Sequence, residues 1–386
     1  MLNEPVSSAL LREATQWRRH FHANPELGFE EFETAKFVSD RLREFGVDEI
    51  EENIAGTGIV ATIRGKRPSN RRIGIRADMD ALPIREIGNV EYRSRTEGKM
   101  HACGHDGHTA ILLATAKYLA STRDFEGDAV LFFQPAEESG LVGARRMIEA
   151  GVLERHPVDQ MFALHNTPGL PVGTVAIGRG AVMAAYDFFT IVIHGKGAHA
   201  SRPHMSVDPV VISSALVSAL QTVVSRSVDP REMAVVSICT INSGTVNNVI
   251  PQEATIGGSI RCYSKAVQDI IERRISEIAI GIGMAFGAEI EVQYERSSPP
   301  VINHDSAVDF ALKATKGKLN VIENWPPAPG GEDFAFFLEA VPGAYIRIGN
   351  GDSEMLHHPA FDFCDEAIAT GVALFVNLVE EKSAID

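Results

Sequence analysis

The sequence predicts an α/β protein in which a mostly parallel sheet flanked by helices is interrupted by an inserted βαββαβ, ferredoxin-like domain. Three observations predict it. Four short apolar runs, "RIGIRADMD", "AVLFFQPAEE", "QMFALHN" and "AYIRIGN", each end in a polar cluster, and helical stretches separate the first three. Strands alternating with helices build parallel sheets. Over residues 185–296 the rhythm changes to strand, helix, strand, strand, helix, strand, the order of a split-βαβ sandwich. A Pro-containing return, "SSPPVINHD", then leads back to helix and strand, so the middle domain is an insertion.

In chain order, helices are expected at 7–23 and 29–46, rich in Leu, Phe, Glu and Arg and parted by the Pro/Gly break "ANPELG". Further helices follow at 106–122 and 140–150. Within the insert, "YDFFTIVIHG", "MAVVSICTIN", "EATIGGSIRCY" and "AEIEVQYE" read as strands, and 207–226 and 265–284 as helices. The tail carries a helix at 304–317, the "PGGEDF" turn, a strand and a last helix at 364–382. The expected division is an outer domain of residues 1–184 and 297–386 around an insert of 185–296.

A chain of 386 residues is long for one core, which agrees with two domains. Its formal charge of −15 argues against nucleic acid or an acidic membrane surface as partner. An anionic substrate would therefore need locally placed Arg or Lys. No run approaches the ~20 apolar residues of a membrane span. The first residues, "MLNEPVSSALLREATQWRRHFH", lack a basic stretch followed by an apolar one, which predicts no secretory leader. Cys103, Cys239, Cys262 and Cys364 are widely spaced, which suits a reducing compartment. The expectation is a soluble cytoplasmic protein.

In open α/β sheets ligands sit beyond the carboxyl ends of the strands. Asp78, Asp80, Glu137, Glu138 and His165 all fall at such ends. The stretch "KMHACGHDGHTA" adds His101, Cys103, His105 and His108 within eight residues, in a chain with only 13 His and 4 Cys. Cys103 and His105 are two apart, so in an extended segment they point the same way and can share a metal. The following helix would keep His108 nearby and lower the thiol pKa. The alternative is a buried thiol beside helix-capping histidines; the density of donors favours metal.

For the adjacent Glu137 and Glu138, one carboxylate can bind metal while its neighbour acts as general base on water. A capping box for the helix at 140–150 is the structural alternative. His165 and the pair His357-His358 are further candidate ligands or satisfied polar residues. Asp78 and Asp80 can orient a histidine ligand or bind metal directly. "GKGAHA" imitates a dinucleotide fingerprint, but the next helix starts too late to receive a phosphate. There is no HExxH, GxSxG or zinc-deaminase pattern.

In order along the chain stand "RADMDALPI", "HACGHDGHTA", "FQPAEESGLVGARRMIEAG", "ALHNTPGLPVG", "GKGAHASRPH", "NNVIPQEATIGGSIR", "GGEDFAFF" and "LHHPAFDF". Together they resemble the M20 metallopeptidase family, in its hippurate hydrolase, indole-acetyl-amino-acid hydrolase and N-acyl-amino-acid deacetylase branch, over residues 10–380. The resemblance implies a zinc-peptidase-like catalytic domain holding two divalent ions (Zn, Mn, Ni or Co). It implies Cys103, His105, Glu138, His165 and His357 as ligands, Glu137 as general base and Asp80 as the aspartate that orients a ligand. Where the wider family has His-x-Asp, this chain has Asp78-Met79-Asp80, a departure shared by the branch.

The resemblance further makes the insert a dimerisation domain from which His199 and Asn248 reach substrate, often in the partner's site, and Arg261 grips a substrate carboxylate. The implied substrate is an N-acyl amino acid and the implied assembly a homodimer or homotetramer. A dipeptidase or succinyl-amino-acid hydrolase of the same family is one alternative. A metal-binding scaffold without turnover is the other, and the intact Glu137 argues against it.

Overall fold

A computed structural model describes residues 7–140 and 142–382. The chain divides into two compact units. The first holds the residues up to Val182, Ile302–Pro326 and the residues from Asp333 onward; the second holds Met183–Val301 and Pro327–Glu332.

The first unit starts with α1 (Ser8–Ala23), α2 (Phe32–Phe45), β1 (Glu49–Ile54), β2 (Gly58–Arg64), β3 (Arg67–Asp78), α3 (His105–Thr122) and β4 (Glu126–Gln134). Next come α4 (Gly143–Glu149), α5 (Val152–Arg155), β5 (Gln160–Thr167) and β6 (Thr174–Ile177). The expected helix at 140–150 is realised as Gly143–Glu149, and Gly151, at a left-handed φ of 77°, separates it from α5.

After β7 (Gly180–Met183) the second unit contains β8 (Ala185–His194), β9 (Ala198–His199), α6 (Pro209–Thr222), β10 (Ala234–Ser243), β11 (Val249–Ile250), β12 (Glu253–Cys262), α7 (Lys265–Phe286) and β13 (Glu289–Ser298). The chain returns through β14 (Val301–Asn303) to α8 (Asp305–Thr315), β15 (Asn320–Glu323), α9 (Phe334–Ala340), β16 (Gly343–Gly349) and α10 (Ala367–Glu380).

The first unit is built on an eight-stranded sheet in the order β1-β2-β4-β3-β5-β16-β6-β15. Its centre, β4-β3-β5-β16, is parallel. The sheet as a whole is mixed, since β1, β2 and β4 pair antiparallel and β6 runs antiparallel to β16. The central strands are buried almost throughout, in keeping with helices on both faces of a parallel sheet. Helix α3 packs against α1, α2, α10 and β3, and its residues from His105 to Ala116 are all buried. That burial explains its nearly uncharged sequence.

The second unit is an antiparallel sheet, β10-β12-β8-β13. Strand β12 alternates buried and open positions, as a sheet covered on one face must. Ile212, Leu216 and Leu220 of α6 and Ile271, Ile275 and Ala279 of α7 fill the covered face. The Asp208 carboxylate caps α6 by accepting from the Val210 and Val211 N–H groups. Strands β9 and β11 form a separate two-stranded ribbon.

Candidate metal centre

The parallel strands of the first unit discharge their carboxyl ends at one edge of the sheet, and the loops beyond them carry the chemistry. β3 ends at Asp78 and leads to Asp80; β4 leads through Pro135-Ala136 to Glu137 and Glu138; β5 carries His165. The loop before α3 brings Cys103 and His105 to the same place. Gly104 turns that loop at φ 94°, and a Cβ there would lie 2.3 Å from Asn166 Oδ1, so only glycine fits.

Cys103 Sγ lies 3.3 Å from His165 Nε2. The His165 Nδ1–H donates to the Asn166 carbonyl at 2.7 Å, which fixes the tautomer and aims Nε2 at the thiol. His105 Nδ1 is 3.0 Å from the Asp80 carbonyl and 3.2 Å from Asp80 Oδ1. Its Nε2 is buried without a hydrogen-bond partner. His357 Nε2 stands 3.0 Å from Glu138 Oε1, on a backbone held at φ 66°. The neighbouring His358 is engaged elsewhere, its Nδ1 accepting the Ala360 N–H at 3.2 Å.

Ligand atoms of Cys103, His105 and His165 lie within 4.8 Å of one another, as do those of Cys103, Glu138 and His357, and those of His105, Glu137 and Glu138. Cys103 is thus common to two donor triads. Asp78, His105 and His108 form a further group of the same kind.

The electrostatics match a cation site. Contrary to the lowering expected from the start of α3, burial, followed by Glu138, Glu137 and Asp78, pushes the Cys103 thiol well above its usual range. Burial disfavours charge on His105, yet Asp78 and Asp80 raise its pKa to about 10. His165 is driven well below its usual range by burial and then by His108. Burial opposes ionisation of Glu138, but His357 and His105 hold its carboxyl below the ordinary value. A buried thiol, a neutral imidazole and converging carboxylates are unfavourable neighbours until positive charge is placed among them. The orphaned His105 Nε2 and the mixed S, N, O donor set fit divalent cations.

Beneath these groups lies a network that sequence reasoning misses. His108 is held between Asp78 Oδ1, at 2.6 Å, and Asn166 Oδ1, at 2.8 Å. The fully buried Arg76 donates to Asp78 Oδ2 at 2.7 Å, to Gln134 Oε1 at 2.7 Å and to Asp333 Oδ1 at 2.9 Å. The Asp333 carboxylate also accepts the Ala144 N–H. One signal was available: an arginine inside the apolar run "RIGIRAD" demands a buried counter-charge.

Asp80 ties the two halves of the site, since its Oδ2 accepts the Glu138 N–H at 2.8 Å. His199, Asn248 and Arg261 belong to the second unit. His199 pairs with Val249 in the β9–β11 ribbon, beside Asn248, whose carbonyl accepts the Ala200 N–H. The Arg261 guanidinium stacks on the Tyr186 ring at 3.6 Å and donates to the Ile260 carbonyl.

An α/β sheet whose carboxyl edge gathers a thiol, three imidazoles and paired glutamates has the donor set of a metal-dependent hydrolase. The sequence profile of the Peptidase family M20/M25/M40 matches residues 74–381. Hippurate hydrolase of Campylobacter jejuni is 43% identical over 364 residues, 94% of each chain. N-acetylcysteine deacetylase of Bacillus subtilis is 40% identical over 362 residues, again 94% of each chain. The crystal structure of the Bacillus subtilis YXEP protein, a dinuclear metal-binding peptidase of the M20 family, superposes with a TM-score of 0.85 at 36% identity, covering 97% of this chain and 98% of that one. The chain belongs to the peptidase family M20/M25/M40.

Proposed function

We propose that the protein is a metal-dependent amidohydrolase that cleaves N-acyl amino acids to a carboxylic acid and a free amino acid. The observation that carries this reading is Glu137: a buried carboxylate whose oxygen stands within 4.8 Å of donor atoms of His105 and Glu138. A purely structural metal site needs no general base beside its ligands. The names of the curated relatives point to the same reaction, since they act on hippurate and on N-acetylcysteine.

Two divalent ions, when bound, polarise an amide carbonyl and make water nucleophilic at neutral pH. Cys103, His105, Glu138, His165 and His357 hold them, and Asp80 orients His105. The thiolate favours Zn, Co or Ni, while the carboxylates also accept Mn. Glu137 removes a proton from the attacking water and returns it to the departing nitrogen. His199 stabilises the oxyanion, Asn248 hydrogen-bonds the substrate amide, and Arg261 binds its carboxylate.

The second unit is the dimerisation domain in this reading. β10 is an edge of its sheet and exposes Val235 and Ile241, and α6 exposes Val210 and Val211. Edge strands of this kind are templates for pairing with a second chain. The four free cysteines suit the cytoplasm.

The test is amine release from N-acetyl, N-benzoyl and indole-acetyl amino acids and a plain dipeptide, using chelator-treated protein resupplied with Mn, Zn, Co or Ni. Metal-dependent release from one acyl class is expected. Silence across all substrates with both ions bound would overturn the reading.

A further inference from the structure

In sequence, residues 25–28 read as part of the "ANPELG" break and residues 29–31 as the start of the next helix, which begins only at Phe32. In the structure residues 25–31 run against both loops that carry the acidic half of the metal centre. The Glu26 carbonyl accepts the Ala81 N–H at 2.8 Å, and Leu27 bridges Ala81, one residue beyond Asp80. A Cβ on Gly28 would lie 2.1 Å from Ser139 Oγ and 3.0 Å from the Ala136 Cα. Glu31 is completely buried; its Oε1 accepts the Ala136 N–H at 2.8 Å and its Oε2 lies 2.6 Å from the Thr57 hydroxyl.

Ala136 is the bend that turns the chain from β4 to the two glutamates. Its φ of 53° is left-handed, a conformation that a non-glycine residue keeps only where its surroundings impose it. Its carbonyl accepts the Gly143 N–H at 3.2 Å. The N–H groups on either side of Glu137 are therefore both held by buried carboxyls, that of Ala136 by Glu31 and that of Glu138 by Asp80.

We propose that Glu31, packed in place by Gly28, is a positioning residue for Glu137 and Glu138: its hydrogen bond to the Ala136 N–H holds the bend that aims both glutamates at the donor set. The proposal rests on the hydrolase reading above. It assigns Glu31 a hydrogen-bonding role, with no requirement for charge. A glutamine fits the same place, its amide oxygen accepting from Ala136 and its NH2 donating to the Thr57 Oγ1.

The experiment compares Glu31→Ala, Glu31→Gln and Gly28→Ala with the parent at saturating metal, and reads amide hydrogen exchange of residues 134–139 in the metal-free proteins. Glu31→Ala is expected to lower kcat by roughly 10- to 100-fold with KM near the parent value, since small misplacements of a catalytic group have effects of that size. Exchange at Ala136 should quicken. Glu31→Gln should keep both properties near the parent, and Gly28→Ala should follow Glu31→Ala, which also covers the case in which Glu31→Ala does not fold. Parent-like kcat and exchange in Glu31→Ala or in Gly28→Ala, or a Glu31→Gln as impaired as Glu31→Ala, would overturn the proposal. A parent without amide hydrolysis would refute the hydrolase reading alone, and the exchange data would still decide the brace.

Discussion

Arg76 and Asp333 form an ion pair at 2.9 Å with both side chains wholly excluded from solvent. The arginine stands in the central strand β3 and the aspartate just before α9, so the pair ties the start of α9 to the sheet directly beneath Asp78. Asp333 also accepts from the Gln134 amide and the Ala144 N–H, so its removal strips acceptors from three buried donors, although Asp78 still faces the Arg76 charge. Asp333→Ala should therefore destabilise the first unit by about 3–5 kcal/mol. Denaturant unfolding followed in the first unit checks this, and a loss within experimental error would mean that water reaches Arg76.

Glu137 is expected to act on protons and to leave the ions to its neighbours. Glu137→Gln should reduce kcat by about 10²–10⁴-fold, the usual scale of general acid–base assistance. The metal content, measured by elemental analysis after desalting, should stay at the parent level. Loss of an ion from this variant would make Glu137 a ligand instead.

The centre of the site was legible because its residues are local in sequence. Cys103 and His105 open the buried helix α3 and the Glu137-Glu138 pair follows the buried strand β4, and polar groups at such buried ends are costly unless a partner or a ligand meets them. The sheet margins were not legible. Strand β1, "EIEENI", is charged and half exposed, and β6 and β15 span four residues each, too short for periodicity to register. The Arg76–Asp333 pair was hidden by a separation of 257 positions along the chain. The role of Pro25–Glu31 was hidden for a different reason: the Glu31 carboxylate meets a backbone N–H more than a hundred positions away, and a backbone partner leaves no trace in residue type.

The doubled histidine separates by geometry. His357 faces Glu138 while His358 accepts the Ala360 N–H through Nδ1. His357→Ala should lose an ion and most of the activity, whereas His358→Ala should retain both, as read by metal stoichiometry and amine release. Equal losses would mean that either imidazole can reach Glu138.

Glu31 also makes a prediction about pH. Burial raises its pKa from an ordinary 4.5 to about 7, with Asp80 adding to the rise and the Thr57 and Ala136 hydrogen bonds opposing it. A carboxyl whose folded pKa is raised binds its proton more tightly in the folded state. Its stabilising contribution is complete below about pH 4.5 and disappears as pH rises through about 7. Glu31→Gln carries no such proton and should lack that loss. The stability of the variant relative to the parent should then grow between these two pH values by on the order of 2–3 kcal/mol. Unfolding of the metal-free proteins, measured in parallel across that window, tests the sign. A difference that stays flat would mean that Glu31 is ionised throughout and that Thr57 and Ala136 together offset its burial.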